Sequence, residues 1–487
     1  MNLQHLYPTP SAFSENENVV FRFGAQATLF LNRSLDPACV ERIGTLWNRF
    51  CCTASKLDVR LAACPDEPPC LRLGAPSVVP LRPAASDEYT LRIDETGAAV
   101  AANTEDGLFH GFLTLVQMIE PECLAEGRER FLLNATEVRD APAVGMRAVH
   151  LCVFPESKPS LLERAIHLAG FLKMTHIVLE FWGTYEYKAL PELAWRGKSF
   201  STPDAKALVD LAHEYRMEVI PMVNHFGHAS ASRSILGRHV VLNANPRLAK
   251  LFEPDGWTWC LSNPDTYKLQ ADMREEMFEL CGAGSYFHLG FDEAYSFATC
   301  RLCKKRVPHE LLADYVNRLT EDLSARGRRP ILWHDEFIDA ADFAGKTKCS
   351  VVASGQNHGT APALDRLDRR IVLADWQYEY RNGENATTRY FMDKGFDVLL
   401  SPWDDLENVR SLAENAKTMG AKGVLCTTWH HLPDYLPRFP AVADMLWKRD
   451  AGKTEIPWTE AAAILRTLYD AEGDFDRSGW SPYEVLA

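Results

Sequence analysis

From Arg147 to Trp429 the chain repeats one unit eight times: a short apolar run, then a longer amphipathic stretch. Short runs alternating with helical stretches are the pattern of parallel strands joined by crossover helices. The predicted strands are Arg147 to Phe154, His176 to Phe181, Glu218 to Val223, Tyr286 to Phe291, Pro330 to His334, Ile371 to Trp376, Val398 to Pro402 and Val424 to Trp429. Between them, Leu161, Leu162, Ala165, Ile166, Leu168, Ala169 and Leu172 form one helical stripe, and Leu311, Leu312, Tyr315, Val316, Leu319 and Leu323 another. Thr202-Pro203-Asp204 reads as a helix start with Thr202 as N-cap. Eight such units over roughly 300 residues predict an α/β fold, a (β/α)8 TIM barrel. Ser350 to Ala353 is also strand-like and is taken as an excursion in the fifth connection. A doubly wound open sheet is the alternative, but no G-x-G-x-x-G follows the first strand.

The residues before the repeat read differently. Val78 to Val79, Tyr89 to Ile93 and Ala98 to Ala102 are strand-like, with Gly97 in the turn between the last two. Asp106-Gly107 opens a helix whose apolar positions recur from Leu108 to Ile119. This is a small α+β domain over residues 1–140. The polar, turn-prone stretch Glu137 to Pro142 marks its boundary with the barrel domain over residues 141–487.

The totals exclude several classes. With 46% hydrophobic and 24% charged residues the composition is globular. A net charge of -14 argues against a nucleic-acid partner, and the Lys304-Lys305-Arg306 run is too short to make a phosphate-binding surface. No segment approaches ~18 uninterrupted apolar residues, so no membrane partner is expected. Met1-Asn2-Leu3-Gln4-His5 has neither a basic nor an apolar leader region, and the expected location is cytoplasmic. Thirteen scattered cysteines, an odd number, fit reduced core thiols better than a disulfide framework. Cys300-Arg301-Leu302-Cys303 could be half of a metal site. A metal would need Cys260, Cys281 or a histidine brought in by folding, so two packed thiols are the reading taken and no metal or cofactor is expected. The oligomeric state is left open, a dimer being one state the sequence allows.

In a barrel, the C-terminal strand ends face one pocket. Here they carry Glu180-Phe181-Trp182, Asn224-His225-Phe226-Gly227-His228, Asp292-Glu293, Trp333-His334-Asp335-Glu336, Trp376-Gln377-Tyr378, Trp403-Asp404-Asp405 and Trp429-His430-His431. Indoles offer flat apolar walls suited to the C–H faces of sugars. Carboxylates beside such walls suit glycoside cleavage, in which an acid protonates the leaving oxygen and a second group stabilises the oxocarbenium-like centre. Asp292 and Glu293 are adjacent, and successive strand side chains diverge, so they do not suit the usual pair on opposite sides of one bond. They suit a reaction in which the substrate, a small-molecule or oligosaccharide glycoside, supplies its own nucleophile.

His288-Leu289-Gly290-Phe291-Asp292-Glu293 resembles the H-x-G-x-D-E motif of glycoside hydrolase family 20, the β-N-acetylhexosaminidases. Arg147-Ala148-Val149-His150-Leu151 resembles the family's first barrel strand, and Val219-Ile220-Pro221 with Phe226-Gly227-His228-Ala229 its third strand and following loop. Trp333-His334-Asp335 and Trp429 are similar to its later tryptophan motifs. Tyr89-Thr90-Leu91, Asp106 to Gly111 and Thr114 to Gln117 resemble the domain that precedes its barrel.

The resemblance implies retaining, substrate-assisted hydrolysis of a terminal β-linked N-acetylglucosamine or N-acetylgalactosamine. In that scheme Asp292 orients the 2-acetamido group and Glu293 is general acid and then base. Arg147 binds the outer hydroxyls, and Trp333, Trp376 and Trp429 wall the sugar. His228 bonds near the carboxylates, and Asp335, Trp403 and Asp404 join the substrate-binding set. Three departures stand out: Cys152 where members often carry Asp, Phe291 where a small residue is common, and Trp403-Asp404-Asp405 where a tyrosine usually donates to the acetamido oxygen. Tyr378 is the substitute proposed for that tyrosine. A glycosidase of another sugar specificity and a non-catalytic sugar-binding relative remain the alternatives.

Overall fold

A computed structural model of the chain describes residues 6–448, apart from 25–26, 32–34, 51–57, 62–69, 75–86, 124–128, 156, 182, 196, 230–240 and 430–431. The N-terminal part is one sheet carrying helices. Its strands are β1 (Ala12–Gly24), β2 (Thr28–Leu31), β3 (Asp58–Leu61), β4 (Cys70–Leu73), β5 (Tyr89–Asp94), β6 (Gly97–Ala102), β7 (Glu120–Cys123) and β8 (Glu129–Asp140). They lie in the order β1-β8-β5-β6-β4-β2-β3, with β7 also pairing β8. Helix Glu105–Gln117 packs its buried face on this sheet, and Thr104 caps it by accepting the Gly107 N–H at 2.9 Å. Gly97 belongs to β6 rather than to the turn. Val78 and Val79 lie outside the described residues.

The expected boundary segment is partly strand. From Thr136 to Asp140, buried and exposed residues alternate, so its charges sit on the wet face of β8 and the strand continues to Asp140.

The barrel follows: β9 (Met146–Cys152), β10 (His176–Glu180), β11 (Glu218–Met222), β12 (Tyr286–His288), β13 (Arg329–Trp333), β14 (Val372–Asp375), β15 (Asp397–Leu400) and β16 (Gly423–Thr427). All eight predicted strands are present, every neighbouring pair is parallel, and β16 closes on β9. Ser350 to Ala353 has no regular secondary structure and belongs to the connection between β13 and β14. The interior is filled by alternate residues such as Ala148, Val178, Ile220, Ile331, Trp333, Val372, Leu399 and Leu425, while Val149 and Leu151 join the helix-facing core. Among the described residues no helix is long and apolar enough to cross a membrane. Helix Thr202–Glu214 starts one residue earlier than expected: Ser201 is the N-cap, its hydroxyl accepting from the Asp204 N–H, and the Thr202 hydroxyl pairs with Tyr185 instead.

Strand parity overturns one expected role. Met146, Ala148, His150 and Cys152 alternate with Arg147, which lies at the N-terminal end of β9, opposite the end where the acids emerge. The Arg147 guanidinium is buried, donating to the carbonyls of Val144 (2.8 Å), Gly145 (2.9 Å) and Lys173 (3.0 Å), with the Trp447 ring 5.0 Å away. Asp87 of the N-terminal part lies 4.0 Å from the same guanidinium, so Arg147 sits where the two parts meet, at the end of the barrel opposite the acids. Beside it, Asp140 accepts from Tyr89 and from the Trp447 indole, each at 2.8 Å. Lys173 donates to Tyr89 (3.1 Å) and Thr114 (2.7 Å), and burial pulls its ammonium down to about 8 despite nearby Asp140.

Replacing Arg147 by Met should therefore cost at least ~2 kcal/mol in urea unfolding, because the two buried carbonyls of Val144 and Lys173 lose their donor. The KM of the protein that remains folded should be unchanged for a sugar substrate.

Candidate active site

β12 is shorter than its apolar run. It leaves the ladder after His288 because Gly290 and Phe291 take φ of 74° and 81°, left-handed backbone that an extended strand excludes. The strand expected to reach Phe291 is cut, and Asp292 and Glu293 stand on a turn, with Glu293 at φ 46°. The turn is fastened to β13: Leu289 N–H donates to Ile331 O at 2.9 Å, and Trp333 N–H to Gly290 O at 2.8 Å. Phe291 is fully buried and stacked on Phe226, with ring centroids 5.5 Å apart. Burying a phenyl ring contributes ~1.5–3 kcal/mol, which offsets the ~1–2 kcal/mol that a left-handed non-glycine residue costs. That is the physical reason a large residue is tolerated before the acids.

The loop after β11 packs directly on this turn. A Cβ on Gly227 would lie 1.9 Å from the carbonyl oxygen of Asp292, so only glycine allows the approach. His228 follows at φ 56° and places Nε2 3.2 Å from Asp292 Oδ2 and 3.4 Å from Glu293 Oε2. Among the described residues it is the only basic side chain paired with either acid. The Trp257 ring lies 4.5 Å from the His228 ring, and its Nε1 donates to Glu293 O at 2.6 Å. Beneath the turn, Asp335 Oδ2 accepts from Glu293 N–H (3.1 Å) and Glu336 Oε1 from Ala294 N–H (3.0 Å). Both carboxyls are fully buried, so Asp335, expected to contact the sugar, supports the acid turn instead.

The two acids differ in environment. Asp292 is 4% exposed and its Oδ1 has no hydrogen-bond partner among the described residues, whereas the Glu293 side chain is 40% exposed. Burial raises Asp292, against the pull of His228, and Glu293 and Glu180 push the same way as burial. Burial alone would lower His228, but the Asp292 and Glu293 carboxylates override it and hold the imidazolium up to about 10. Asp335 is raised to about 6 by burial and then by Asp292. Burial raises Glu336 well above its usual range, Asp335 adding to it. One dry carboxylate can hold a polar group in place. One wet carboxyl can exchange protons with solvent.

The strand-end aromatics line the same mouth. Tyr378 accepts from the Trp429 indole (2.8 Å) and the Thr427 hydroxyl (3.3 Å), and its ring lies between Trp376 (5.3 Å) and Trp403 (5.4 Å). Trp333 is the floor, against His288 (4.4 Å), Trp429 (5.7 Å) and His150 (5.8 Å). Asp404 lies at the rim beside Arg438, 3.9 Å from its guanidinium. Cys152 pairs in register with Glu180, whose carboxylate bonds to His150 (2.8 Å), Cys152 (3.4 Å) and Asn224 (2.5 Å), so β10 supplies the acid that β9 lacks. Trp182, His430 and His431 lie outside the described residues.

Residues 175–461 match the catalytic domain of glycosyl hydrolase family 20, and residues 4–141 match that family's domain 2. The chain belongs to glycosyl hydrolase family 20. It is 24% identical over 325 residues to the β-hexosaminidase of Porphyromonas gingivalis, an alignment covering 59% of this chain and 41% of that protein. The chain spans less than half the length of the curated relatives it matches. Its fold resembles that of the family 20 exo-β-N-acetylglucosaminidase of Vibrio harveyi, solved with N-acetylglucosamine (TM-score 0.71, 17% identity, 99% of this chain and 79% of that one). It also resembles the β-N-acetylhexosaminidase of Bacteroides fragilis (TM-score 0.67, 18% identity, 94% and 93% covered).

Trp257 and Tyr295 stand beside His228 and the acid turn without having been expected from the sequence. Tyr295 is 53% exposed, with its ring 4.9 Å from that of Trp257. Trp257 sits in a long loop with no strand to announce it. Tyr295 follows the acid pair by two residues, and its position there was the available signal.

Gly227→Ala should displace the acid turn and lower kcat/KM by ~10²-fold, the cost of a misplacement near 1 Å. His228→Asn should move the acidic limb of the kcat/KM profile to higher pH, because burial, Glu293 and Glu180 then raise Asp292 unopposed. The stability contributed by the raised His228 is fully present below its unfolded value of ~6.5 and lost as pH rises through about 10. The difference in Tm between wild type and this variant should shrink across that window.

Proposed function

We propose that this chain is an exo-acting, retaining β-N-acetylhexosaminidase that removes terminal β-linked N-acetylglucosamine or N-acetylgalactosamine using the substrate's own 2-acetamido group. The observation that carries this reading is the His228 bridge. One nitrogen within 3.4 Å of both carboxylates keeps them on one wall. A two-carboxylate retaining site instead needs them on opposite faces of the scissile bond. The nucleophile is then on the substrate. Asp292 accepts from the acetamido N–H and steers its carbonyl oxygen onto C1, giving an oxazolinium-type intermediate. Glu293 gives its proton to the leaving oxygen and then takes one from the attacking water. His228 opposes the burial that raises Asp292. The buried indole N–H groups of Trp333 and Trp376, which lack partners among the described residues, and the Tyr378 hydroxyl are donors for the acetamido group. Family membership and the names of the relatives support the sugar. A cytoplasmic location, with oligosaccharide fragments as substrates, belongs to the same proposal.

Aryl β-N-acetylhexosaminides should be cleaved and plain aryl β-hexosides should not; equal rates on both would sink the role of the acetamido group. Replacing the acetyl hydrogens by fluorine should lower kcat/KM with each substitution. Glu293→Gln should lose ~10²–10⁴-fold on substrates with poor leaving groups while still binding a thiazoline inhibitor, and loss of that binding would count against the assigned role.

A further inference from the structure

The third-strand loop and the acid turn are joined a second time, away from the sugar pocket. Cys260 lies in the loop that carries His228 and Trp257, and Cys300 and Cys303 follow Asp292 and Glu293. Cys260 Sγ is 3.3 Å from Cys300 Sγ and 3.5 Å from Cys303 Sγ. All three sulfurs fall within 4.8 Å of one another. Two thiolates on a tetrahedral zinc, at ~2.3 Å each, stand ~3.8 Å apart. A disulfide would need ~2.05 Å and would leave the third sulfur over.

Two further features point to a ligand. The Cys303 N–H donates to Cys300 Sγ at 3.2 Å, which folds the C-x-x-C turn around that sulfur. Glu253 is 1% exposed, and its two oxygens are used unequally. Oε2 accepts from Thr299 N–H (3.0 Å), Thr299 Oγ1 (2.9 Å) and Cys300 N–H (2.6 Å), whereas Oε1 is buried with no hydrogen-bond partner among the described residues. A buried carboxylate oxygen left unbonded is costly unless it meets a cation. This one belongs to a carboxylate held beside the same turn and close enough to act on Cys303.

We propose that Cys260, Cys300 and Cys303 bind a structural zinc ion, with Glu253 Oε1 turning in from beside the sulfur cluster as the fourth ligand, and that this ion clamps the His228 loop to the acid turn. Binding releases three thiol protons to solvent and leaves a site of net charge −2 (one Zn2+, three thiolates and one carboxylate). Lys304, Lys305 and Arg306, next in the chain, offset that charge. With four protein ligands the ion has no open position for a reacting water, so its role is to fix the loops. The packed-thiol reading of Cys300 and Cys303 is replaced by this one.

The test is the metal content of the purified full-length chain. We expect about one zinc per chain, as a four-ligand thiolate site holds the metal through purification. The zinc should be released by a mercurial thiol reagent and detected with a colorimetric chelator. Cobalt-loaded wild type should show a sulfur-to-metal charge-transfer band and tetrahedral ligand-field bands, a readout that needs no variant to fold. Cys260→Ser, Cys300→Ser and Cys303→Ser should each lose the zinc, and Cys281→Ser, a buried thiol outside the cluster, should keep it. Glu253→Gln should bind zinc more weakly in chelator competition. Wild type free of zinc and unable to take up cobalt, or a Cys260–Cys300 disulfide found by peptide mapping, would overturn the proposal.

Discussion

The active site depends on one close approach, that of the Gly227 backbone to the carbonyl of Asp292. It lets the loop after β11 lie flat on the acid turn, which brings His228 within reach of both carboxylates. The turn cannot be regular strand, because Gly290, Phe291 and Glu293 all have positive φ. Local strain of this kind persists only where surrounding contacts over-determine it. Here they are the stacked pair Phe226 and Phe291 on one side and the bonds from Trp333, Asp335 and Glu336 on the other. His228 and Trp429 are left-handed as well, so the strain is concentrated around the pocket.

The electrostatics follow from that packing. Asp292, Asp335 and Glu336 are all buried, and burial raises each of them. Glu180 escapes the same fate: burial would raise it, but hydrogen bonds from His150 and Asn224 and the nearby His228 hold it low. His228 therefore opposes burial at Asp292, and His150 does so at Glu180. Asp335 and Glu336 accept backbone N–H groups of the acid turn, so their task is to hold Glu293 and Ala294 in place rather than to meet the sugar.

The other end of the barrel has its own buried charge. Arg147, Lys173 and Asp140 meet Tyr89 and Trp447 where the N-terminal sheet joins the barrel. An arginine at the first strand can serve the pocket or the junction, and the two uses differ only in which strand end carries it. Arg147 is the second residue of β9, which places it at the junction.

Periodicity along the chain determined the eight-stranded barrel, the sheet before it and the end of the barrel at which the chemistry collects, because burial patterns are local and repeat. The H-x-G-x-D-E motif determined the acids and, through their adjacency, pointed to a nucleophile outside the protein. Strand parity alone would also have separated Arg147 from His150 and Cys152. Only the tertiary structure decided that Asp335 is a support rather than a contact, that Tyr378 is bonded by Trp429, and that Cys260 lies against Cys300 and Cys303, 40 and 43 residues away. These are contacts between loops of different βα units. Their side chains follow no period, and their proximity is set by how the barrel closes.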